Sequence, residues 1–265
     1  MPELKLTQIW IYPIKSLGGI SLSSAKVMGK GLQYDRRWML VDESGKCMTQ
    51  RVYPKMALFK LSLNNSLLII TNKHHSLKLD LEKRPVSHPI TVTIWDDTVS
   101  AFELDPSYSQ WFSTQLGVSC KLIHFPEENA RPVDPRYKVK EEHVSLADAY
   151  PFLIIGQGSL DDLNSKLADP VPMNRFRPNF VFTGGAPFEE DTWRNFSIGS
   201  TRFVGVKLCD RCVLTTVNQD TGEKGIEPLK TLTSYRKQHN KVYFGQNLVA
   251  VDHTHVNIGD KITIQ

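Results

Sequence analysis

Short alternations of apolar and polar residues, broken by Gly, Asn and Pro, run along the chain and predict a β-rich fold. In the first half, strands are predicted at 4–6, 9–11, 38–41, 90–95, 98–104 and 120–125, with a hairpin over 61–71 turning at Asn64-Asn65. In the second half, they are predicted at 151–155, 180–182, 203–208, 213–217, 248–251 and 261–264. Many short strands favour barrels or strongly curled sheets, because closure removes exposed sheet edges.

Helical spacing occurs in only a few places. Asp105 and Pro106 supply an N-cap and a first-turn proline, and Gly117 ends the pattern, so a helix is predicted between them. A second, capped helix is predicted to begin at Ser159, and a short helical stretch is predicted at 228–235. The predicted class is therefore a β-rich α+β fold with a few helices.

A polar, proline-bearing stretch between His124 and His143 has the composition of a linker or a long surface loop. We place the domain boundary there. The chain is then divided into an N-terminal β-barrel domain over 1–125 and a second β-barrel domain over 126–265.

Composition and charge add weak constraints. The 265 residues are 40% hydrophobic and 23% charged, which is normal for a globular protein with a sizeable core. The net charge is +4, and the Lys and Arg residues are spread along the chain. An anionic ligand is only slightly favoured, and the absence of a continuous basic patch argues against nucleic acid as a partner.

The termini and the cysteines indicate the compartment. The first residues lack the pattern of a signal peptide, and no apolar run approaches the roughly 18 residues that span a bilayer. We therefore expect a cytoplasmic protein without a membrane segment. Four cysteines are too few for a disulfide framework in a chain of this size, so reduced thiols are expected.

Cys209-Asp210-Arg211-Cys212 is the sharpest local motif, and several interpretations are open. A thioredoxin-like dithiol requires a helix after the motif, whereas β-prone residues follow here. A structural zinc site requires four ligands, and no second C-x-x-C is present. A further interpretation is that both cysteines are small buried apolar residues, which is the commonest fate of free cysteine. Arg211 beside Cys212 would favour a thiolate there, a soft ligand for a transition metal, so a single activated cysteine is the preferred functional hypothesis.

Three basic clusters lie directly before or after predicted strands. Lys15-Ser16 follows the first strand, Arg36 precedes the strand at 38–41, and Arg177 with Asn179 precedes the strand at 180–182. Arginine presents a planar fork that matches phosphate oxygens, and asparagine offers both a donor and an acceptor to a heterocycle edge. Together these clusters predict a phosphate-binding site without a glycine-rich loop.

The order of several segments resembles the MOSC family: YPIKS, DRRW, SLADAYPFLI, NRFRPN, CDRCVLTTVNQDTG and FGQN. The resemblance is strongest to two-part members that begin with an N-terminal MOSC β-barrel domain, such as the mitochondrial amidoxime-reducing component and bacterial relatives. It spans essentially the whole chain, and the segment from Cys209 to Gly222 is its most specific part. It implies that the second domain, 126–265, is a MOSC domain.

The resemblance implies a molybdenum cofactor, Mo-molybdopterin, bound between the two domains. Molybdenum would be held by the cofactor's dithiolene and by the thiolate of Cys212. The residues implied to contact the cofactor are Lys15, Ser16, Arg36, Arg177, Asn179, Asp210 and Arg211. The resemblance also carries pyridoxal phosphate binding as an attribute of the family.

The resemblance also assigns roles to the segment Asp148-Ala149-Tyr150, which would lie beside the metal. Where the mitochondrial proteins have Thr and Ser, this chain has Ala149-Tyr150, which would serve through backbone amides. Asp148 aligns with an acidic residue at the metal, which makes it the candidate for proton delivery. Some bacterial relatives add a ferredoxin-like domain, whereas this chain ends at Gln265, so electrons are expected from a separate reductase or ferredoxin-like protein.

The implied activity is reduction of N-oxygenated small molecules, such as N-hydroxylated bases or amidoximes, at molybdenum. The alternative is a protein that carries the cofactor, or a sulfur atom as a persulfide on Cys212. MOSC domains fused to cofactor sulfurases support this alternative. Molybdenum content and its dependence on Cys212 distinguish the two.

Overall fold

The computed structural model describes residues 3–83 and 88–265, and its regular structure is mostly strand. The strands are β1 (Lys5–Ile11), β2 (Ile20–Leu22), β3 (Ser24–Met28), β4 (Gly31–Leu32), β5 (Trp38–Val41), β6 (Lys60–Asn64), β7 (Leu67–Asn72), β8 (His75–Asp80), β9 (Pro89–Ile94), β10 (Asp97–Glu103), β11 (Lys121–His124), β12 (Phe152–Gly156), β13 (Phe180–Thr183), β14 (Asn195–Ile198), β15 (Thr201–Asp210), β16 (Lys237–Gln238), β17 (Lys241–Ala250), β18 (His255–Asn257) and β19 (Ile262–Ile264). The predicted β-rich class is confirmed.

Helices are few and short. The α-helices are α1 (Pro106–Leu116), α2 (Gln157–Asn164) and α3 (Leu229–Arg236). The 3-10 helices are Pro54–Leu58, Met173–Arg175, Glu189–Thr192 and Val213–Thr216. Within the described residues, no helix is both long enough and apolar enough to cross a membrane.

The largest sheet has the order β19-β14-β15-β17-β12-β13-β1-β2. The sheet closes on itself, because Lys5 of β1 forms an antiparallel bridge with Lys261, the residue directly before β19. Backbone bonds of 2.9 Å from Leu6 N to Asp260 O and from Ile262 N to Leu4 O complete the contact. Closure satisfies backbone groups that an open edge would expose, and the result is a barrel as predicted.

The N-terminal part contributes to this barrel and also forms sheets of its own. The smaller sheets have the orders β5-β11-β10-β9, β6-β7-β8 and β18-β3-β4. One hydrophobic cluster contains Trp38 and Phe112 together with Phe180 and Phe203, so the two predicted parts share a core. The boundary at 125/126 stays a prediction, with β1 and β2 lying in the larger sheet.

Helix α1 has the predicted ends. The Asp105 side chain accepts a hydrogen bond from Ser107 N, and Gly117 adopts a left-handed conformation with φ of 70°. Helix α2 begins earlier than predicted, because Gly156 is its N-cap and makes no side-chain cap bond. The Ser159 hydroxyl, predicted as the cap, instead donates to the buried carboxylate of Glu190 at 2.8 Å.

The segment after Cys212 also differs from its prediction. The strand predicted at 213–217 is a 3-10 helix, Val213–Thr216. The hydroxyl of Thr215 donates to Cys212 O at 3.0 Å, and that of Thr216 donates to Val213 O at 2.8 Å. These local bonds compete with strand pairing and explain why β-prone residues form a turn here.

Candidate functional site

A cavity of about 420 Å³ lies where the loop after β1 meets the segments that precede β5, β12 and β13 and the end of β15. Every residue predicted from the sequence as a site residue lines it. These residues are Lys15, Ser16, Arg36, Asp148, Ala149, Tyr150, Arg177, Asn179, Asp210, Arg211 and Cys212. The lining also includes Arg51, Trp95 and Lys207, which the sequence prediction missed, and Cys209, the other cysteine of the C-x-x-C motif.

The first group in the cavity is the arginine cluster, formed by Tyr12, Asp35, Arg36, Arg177 and Asn179. The fully buried Asp35 carboxylate accepts from Tyr12 N at 2.7 Å and from Arg36 Nη1 at 2.6 Å. The guanidinium groups of Arg36 and Arg177 lie over the Tyr12 ring at 4.4 and 4.2 Å. Attraction to the π-face helps to hold two like charges close together.

Arg177 differs from Arg36 in having no carboxylate. Its side chain is buried, and no residue in the ranges 3–83 and 88–265 accepts a hydrogen bond from its guanidinium. Burial lowers the pKa of Arg177 to about 10, so the group stays protonated near neutral pH. A buried cation needs a counter-charge, and the open side of Arg177 is the cavity. The arrangement fits an anionic ligand.

Asn179 connects the parts of the arginine cluster. Its Nδ2 donates to Trp10 O at 3.1 Å and to Asp35 Oδ2 at 3.2 Å, and its Oδ1 accepts from Leu153 N at 3.2 Å. These protein contacts occupy the amide that was predicted to meet a heterocycle. A direct contact with the cofactor therefore stays a prediction for Asn179.

The backbone around the cavity is strained. Ser16, Arg36, Trp95 and Arg177 have positive φ values of 67°, 51°, 54° and 55°. Residues with a Cβ atom rarely adopt this left-handed region, and each instance costs on the order of 1–3 kcal/mol. Such strain tends to persist where it positions a side chain for function, and here it coincides with one cavity.

The two cysteines of the C-x-x-C motif both line the cavity but have different contacts. Arg211 Nη1 donates to Cys209 Sγ at 2.9 Å, and its Nη2 donates to Phe176 O at 2.6 Å. The expectation that Arg211 acts on Cys212 is thus not met by direct contact, because the guanidinium is turned toward Cys209. Burial raises the pKa of the Cys209 thiol, and Arg211 opposes that effect.

Cys212 is half-buried and extended, and it directly precedes the 3-10 helix Val213–Thr216. The helix that a thioredoxin-like dithiol requires is replaced by this single turn, and β15 pairs antiparallel with β17. Asp210 forms an ion pair with Lys241 at 2.9 Å.

The second group is the Asp148 cluster, formed by Lys15, Arg51, Trp95 and Asp148. Asp148 Oδ1 lies 2.5 Å from Lys15 Nζ and accepts from Trp95 Nε1 at 3.1 Å, while Oδ2 lies 3.5 Å from Arg51 Nη2. Despite desolvation, the Lys15 and Arg51 charges hold the pKa of Asp148 well below its ordinary range. Burial lowers the pKa of Lys15, against the opposing effect of Asp148.

Asp148 is therefore ionised at neutral pH, and Lys15 Nζ donates to its Oδ1. The role of Asp148 in proton delivery stays a prediction. Lys15 also donates to Leu146 O at 2.8 Å, which fixes the ammonium in place.

The predicted linker supports the wall of the cavity. Arg131 is buried and donates to Ser145 O at 2.9 Å, Ala147 O at 2.6 Å and Asp148 O at 3.1 Å. Its Nε also donates to Asp97 at 2.7 Å. One guanidinium thus holds the backbone from which Asp148 and Ala149 extend. Composition alone had placed this stretch in a surface loop.

Ala149 and Tyr150 complete that wall. Ala149 is exposed and Tyr150 is buried, with the Tyr150 ring 6.1 Å from that of Tyr137. The ammonium of Lys207 lies 4.7 Å from the Tyr137 ring and 5.9 Å from the Tyr150 ring. No sequence pattern distinguishes Lys207, because it is one lysine within an alternating strand.

Cations outnumber carboxylates around the cavity. The cationic lining residues are Lys15, Arg36, Arg51, Arg177, Lys207 and Arg211, and the carboxylates among them are Asp148 and Asp210. Such a set favours an anion with a phosphate group, and the Cys212 thiol in the same cavity offers a soft metal ligand. The residues therefore fit an anionic cofactor that brings a metal.

Models of two protein families match the chain. The MOSC N-terminal beta barrel domain matches residues 3–119, and the MOSC domain matches residues 141–263. Mitochondrial amidoxime-reducing component 1 of Mus musculus is 34% identical, covering 97% of this chain and 81% of that protein. The Homo sapiens protein of the same name is 32% identical, with 97% and 82% covered.

Molybdenum cofactor sulfurase of Oryza sativa subsp. japonica is 30% identical over 92% of this chain. The match covers 32% of that longer protein, so it concerns one part of it. Pyridoxal phosphate binding stays a prediction.

Proposed function

Because the chain belongs to the MOSC family, we propose that it is a molybdenum-cofactor-dependent reductase of N-hydroxylated compounds, with Cys212 as the molybdenum ligand. The observation that carries the proposal is the buried Arg177 guanidinium, which has no protein acceptor in the described ranges and lines the same cavity as the Cys212 thiol. A buried, unpartnered cation beside a soft ligand suits an anionic cofactor that carries a metal.

The bound cofactor would supply two-electron oxygen-atom removal at molybdenum. Reducing an N–OH group to N–H takes two electrons and two protons and releases water. The protein binds and orients: Cys212 holds the metal, while Arg36 and Arg177 offset the negative charge of the phosphate and pterin. Ser16 would meet the cofactor's phosphate region, whereas Lys15, predicted to meet it as well, is engaged by Asp148. Asp210 and Arg211 would lie beside the metal ligand.

Protons and electrons have different sources in this proposal. Lys15 Nζ holds a proton against Asp148 Oδ1 at 2.5 Å, and this pair delivers it to the leaving oxygen. Electrons come from a separate reductase or ferredoxin-like protein. We place the reaction in the cytoplasm.

Metal analysis of protein from a host that makes the cofactor tests the proposal. The wild type is expected to contain molybdenum, and Cys212→Ala is expected to lose it because the thiolate is the only proposed protein ligand. Cys209→Ala is the matched control: it removes the other thiol of the same cavity and is expected to retain the metal. The loaded wild type should also reduce benzamidoxime with an artificial electron donor.

Two results would overturn the proposal. A protein without molybdenum but with a persulfide on Cys212 would be a sulfur carrier, the alternative that the similarity to the cofactor sulfurase supports. A protein with stoichiometric molybdenum that reduces no N-hydroxylated compound would hold the cofactor without this activity.

A further inference from the structure

Three hairpins of the N-terminal part use the same kind of two-residue turn. Asn64 pairs with Leu67, Asn72 with His75, and Ile94 with Asp97, which leaves Asn65-Ser66, Lys73-His74 and Trp95-Asp96 as the turns. The first turn is one residue later than the predicted Asn64-Asn65. In each, the first turn residue has positive φ: 54° at Asn65, 52° at Lys73 and 54° at Trp95.

Tryptophan is the unusual residue in this series. Turns with positive φ at the first central position favour glycine, and asparagine tolerates the conformation, whereas a bulky residue there is an outlier. Asn65 and Lys73 lie on surface hairpins, while Trp95 lines the cavity that contains Cys212. The strain at Trp95 therefore accompanies a side chain placed in the site.

Side-chain contacts hold Trp95 in this position. Its indole Nε1 donates to Asp148 Oδ1 at 3.1 Å, and the Arg51 guanidinium lies 4.0 Å from the ring centroid. The Lys15 ammonium lies 5.7 Å from the same centroid. Trp95 nevertheless remains 38% exposed, so part of the indole is open to a bound molecule.

We propose that Trp95, with Arg51 packed on its ring, selects the substrate. The preferred class is an uncharged N-hydroxylated compound whose N–OH group is conjugated to a planar π-system. This inference rests on the proposed function and deepens it. Neither the resemblance nor the basic motifs assign a role to these two residues.

Shape and charge both lead to this class. A flat conjugated group stacks on an indole or a guanidinium plane, whereas a puckered aliphatic group loses most of that contact. The neighbouring charges disfavour cationic substrates, because Lys15 and Arg51 stand beside the ring. Their only carboxylate partner in the described cluster is Asp148, which both already share.

The test compares benzamidoxime, which is planar, with N-hydroxycyclohexylamine, which is not, using the metal-loaded enzyme. Trp95→Leu is expected to lower kcat/KM for benzamidoxime roughly tenfold, mainly through KM, as for the loss of one aromatic contact. Relative to Trp95→Phe, which also lacks the N–H donor to Asp148, the value for N-hydroxycyclohexylamine should change less than twofold in Trp95→Leu. Trp95→Phe keeps a ring but no N–H, and it should restore most of the benzamidoxime value.

Binding without turnover provides an independent readout. Equilibrium dialysis of benzamidoxime against the oxidised holoenzyme, with no reductant, should show the same roughly tenfold weakening for Trp95→Leu. Molybdenum content should be equal in all variants. If the wild type reduces both substrates and Trp95→Leu lowers both equally or neither, the selection role is wrong while the proposed function stands. If the wild type reduces neither, the proposed function fails first.

A glycine pair separates strain from contact. Trp95→Gly and Lys73→Gly relieve the same backbone conformation at matched turns. Lys73→Gly should leave the kinetics unchanged and should not lower the unfolding temperature. Trp95→Gly should lose benzamidoxime selectivity as Trp95→Leu does. Retention of selectivity in Trp95→Gly would overturn the proposal.

Discussion

The arginine cluster and the Asp148 cluster meet in one cavity, yet their charges are arranged in opposite ways. In the arginine cluster, the Asp35 carboxylate engages Arg36 and leaves the buried Arg177 without an acceptor in the described residues. In the Asp148 cluster, one carboxylate contacts Lys15, Arg51 and the indole of Trp95. Each group has two cations and one carboxylate, but only in the second do both cations contact the carboxylate.

This difference separates two tasks within a single cavity. A cluster that lacks a counter-charge gains from an anionic ligand, since the ligand supplies what burial has removed. A cluster whose cations already contact a carboxylate binds an uncharged molecule without leaving a new unpaired group. The cofactor's charge therefore belongs with Arg177, and the neutral substrate belongs beside Trp95.

Removing the unpaired cation should have the largest effect. Arg177→Met is expected to lower the molybdenum content of the purified protein roughly 10- to 100-fold, the value of one hydrogen bond to a charged group. The cofactor-free protein should be no less stable, because the substitution removes a buried charge without a partner. Metal analysis and thermal unfolding measure the two effects.

Arg177→Lys serves as the control that retains the charge. It should recover part of the metal content, although an ammonium lacks the planar fork of arginine. Full metal content in Arg177→Met would show that the arginine cluster is not where the anionic group binds.

Breaking the support of the Asp148 cluster should be the next largest effect. Arg131→Met leaves the carbonyls of Ser145 and Ala147 without their buried donor and is expected to cost about 2 kcal/mol of unfolding free energy. Arg136→Met, a change in the same segment at a side chain that is 78% exposed, should cost less than about 1 kcal/mol. Urea unfolding measures both. Equal losses of unfolding free energy in the two variants would mean that Arg131 does not hold this segment in place.

The sequence predicted elements best where the pattern had clear ends, either a short apolar run or a helix with its own cap and terminating glycine. Strand β5 has the predicted bounds, and helix α1 has its predicted cap and end. The errors arose where side-chain hydroxyls bond locally or across the fold, as at Thr215 and Ser159. A propensity belongs to one residue, whereas these bonds depend on partners that only the folded chain supplies.

For the cavity, residue type and motif order predicted residues that the fold does bring together, but not what each one contacts. Adjacency in the chain suggested Arg211 for Cys212, and the fold turns it to Cys209. Trp95 and Arg131 were missed because their partners are distant in sequence, with Arg131 lying in a stretch that composition marks as a linker. A tryptophan between two alternating runs, where glycine is favoured, was the signal available for Trp95.

The smallest expected effect is the loss of unfolding free energy from the Lys15–Asp148 ion pair at acid pH. The folded-state pKa of Asp148 lies well below its unfolded value, so the Lys15 pair contributes stability above roughly pH 4 that is lost as the pH falls through the folded pKa. Asp148 is 58% exposed, so solvent screening limits this contribution to about 1 kcal/mol. Asp148→Asn should therefore have a lower unfolding free energy than the wild type at pH 7, and the two values should converge at acid pH. Asp220→Asn is the control, because its side chain is 73% exposed, and its unfolding free energy should run parallel to that of the wild type. Urea unfolding from about pH 1.5 to pH 7, a window that extends toward the folded pKa, measures this. A constant gap between Asp148→Asn and wild type would mean that the pair's charge adds no stability.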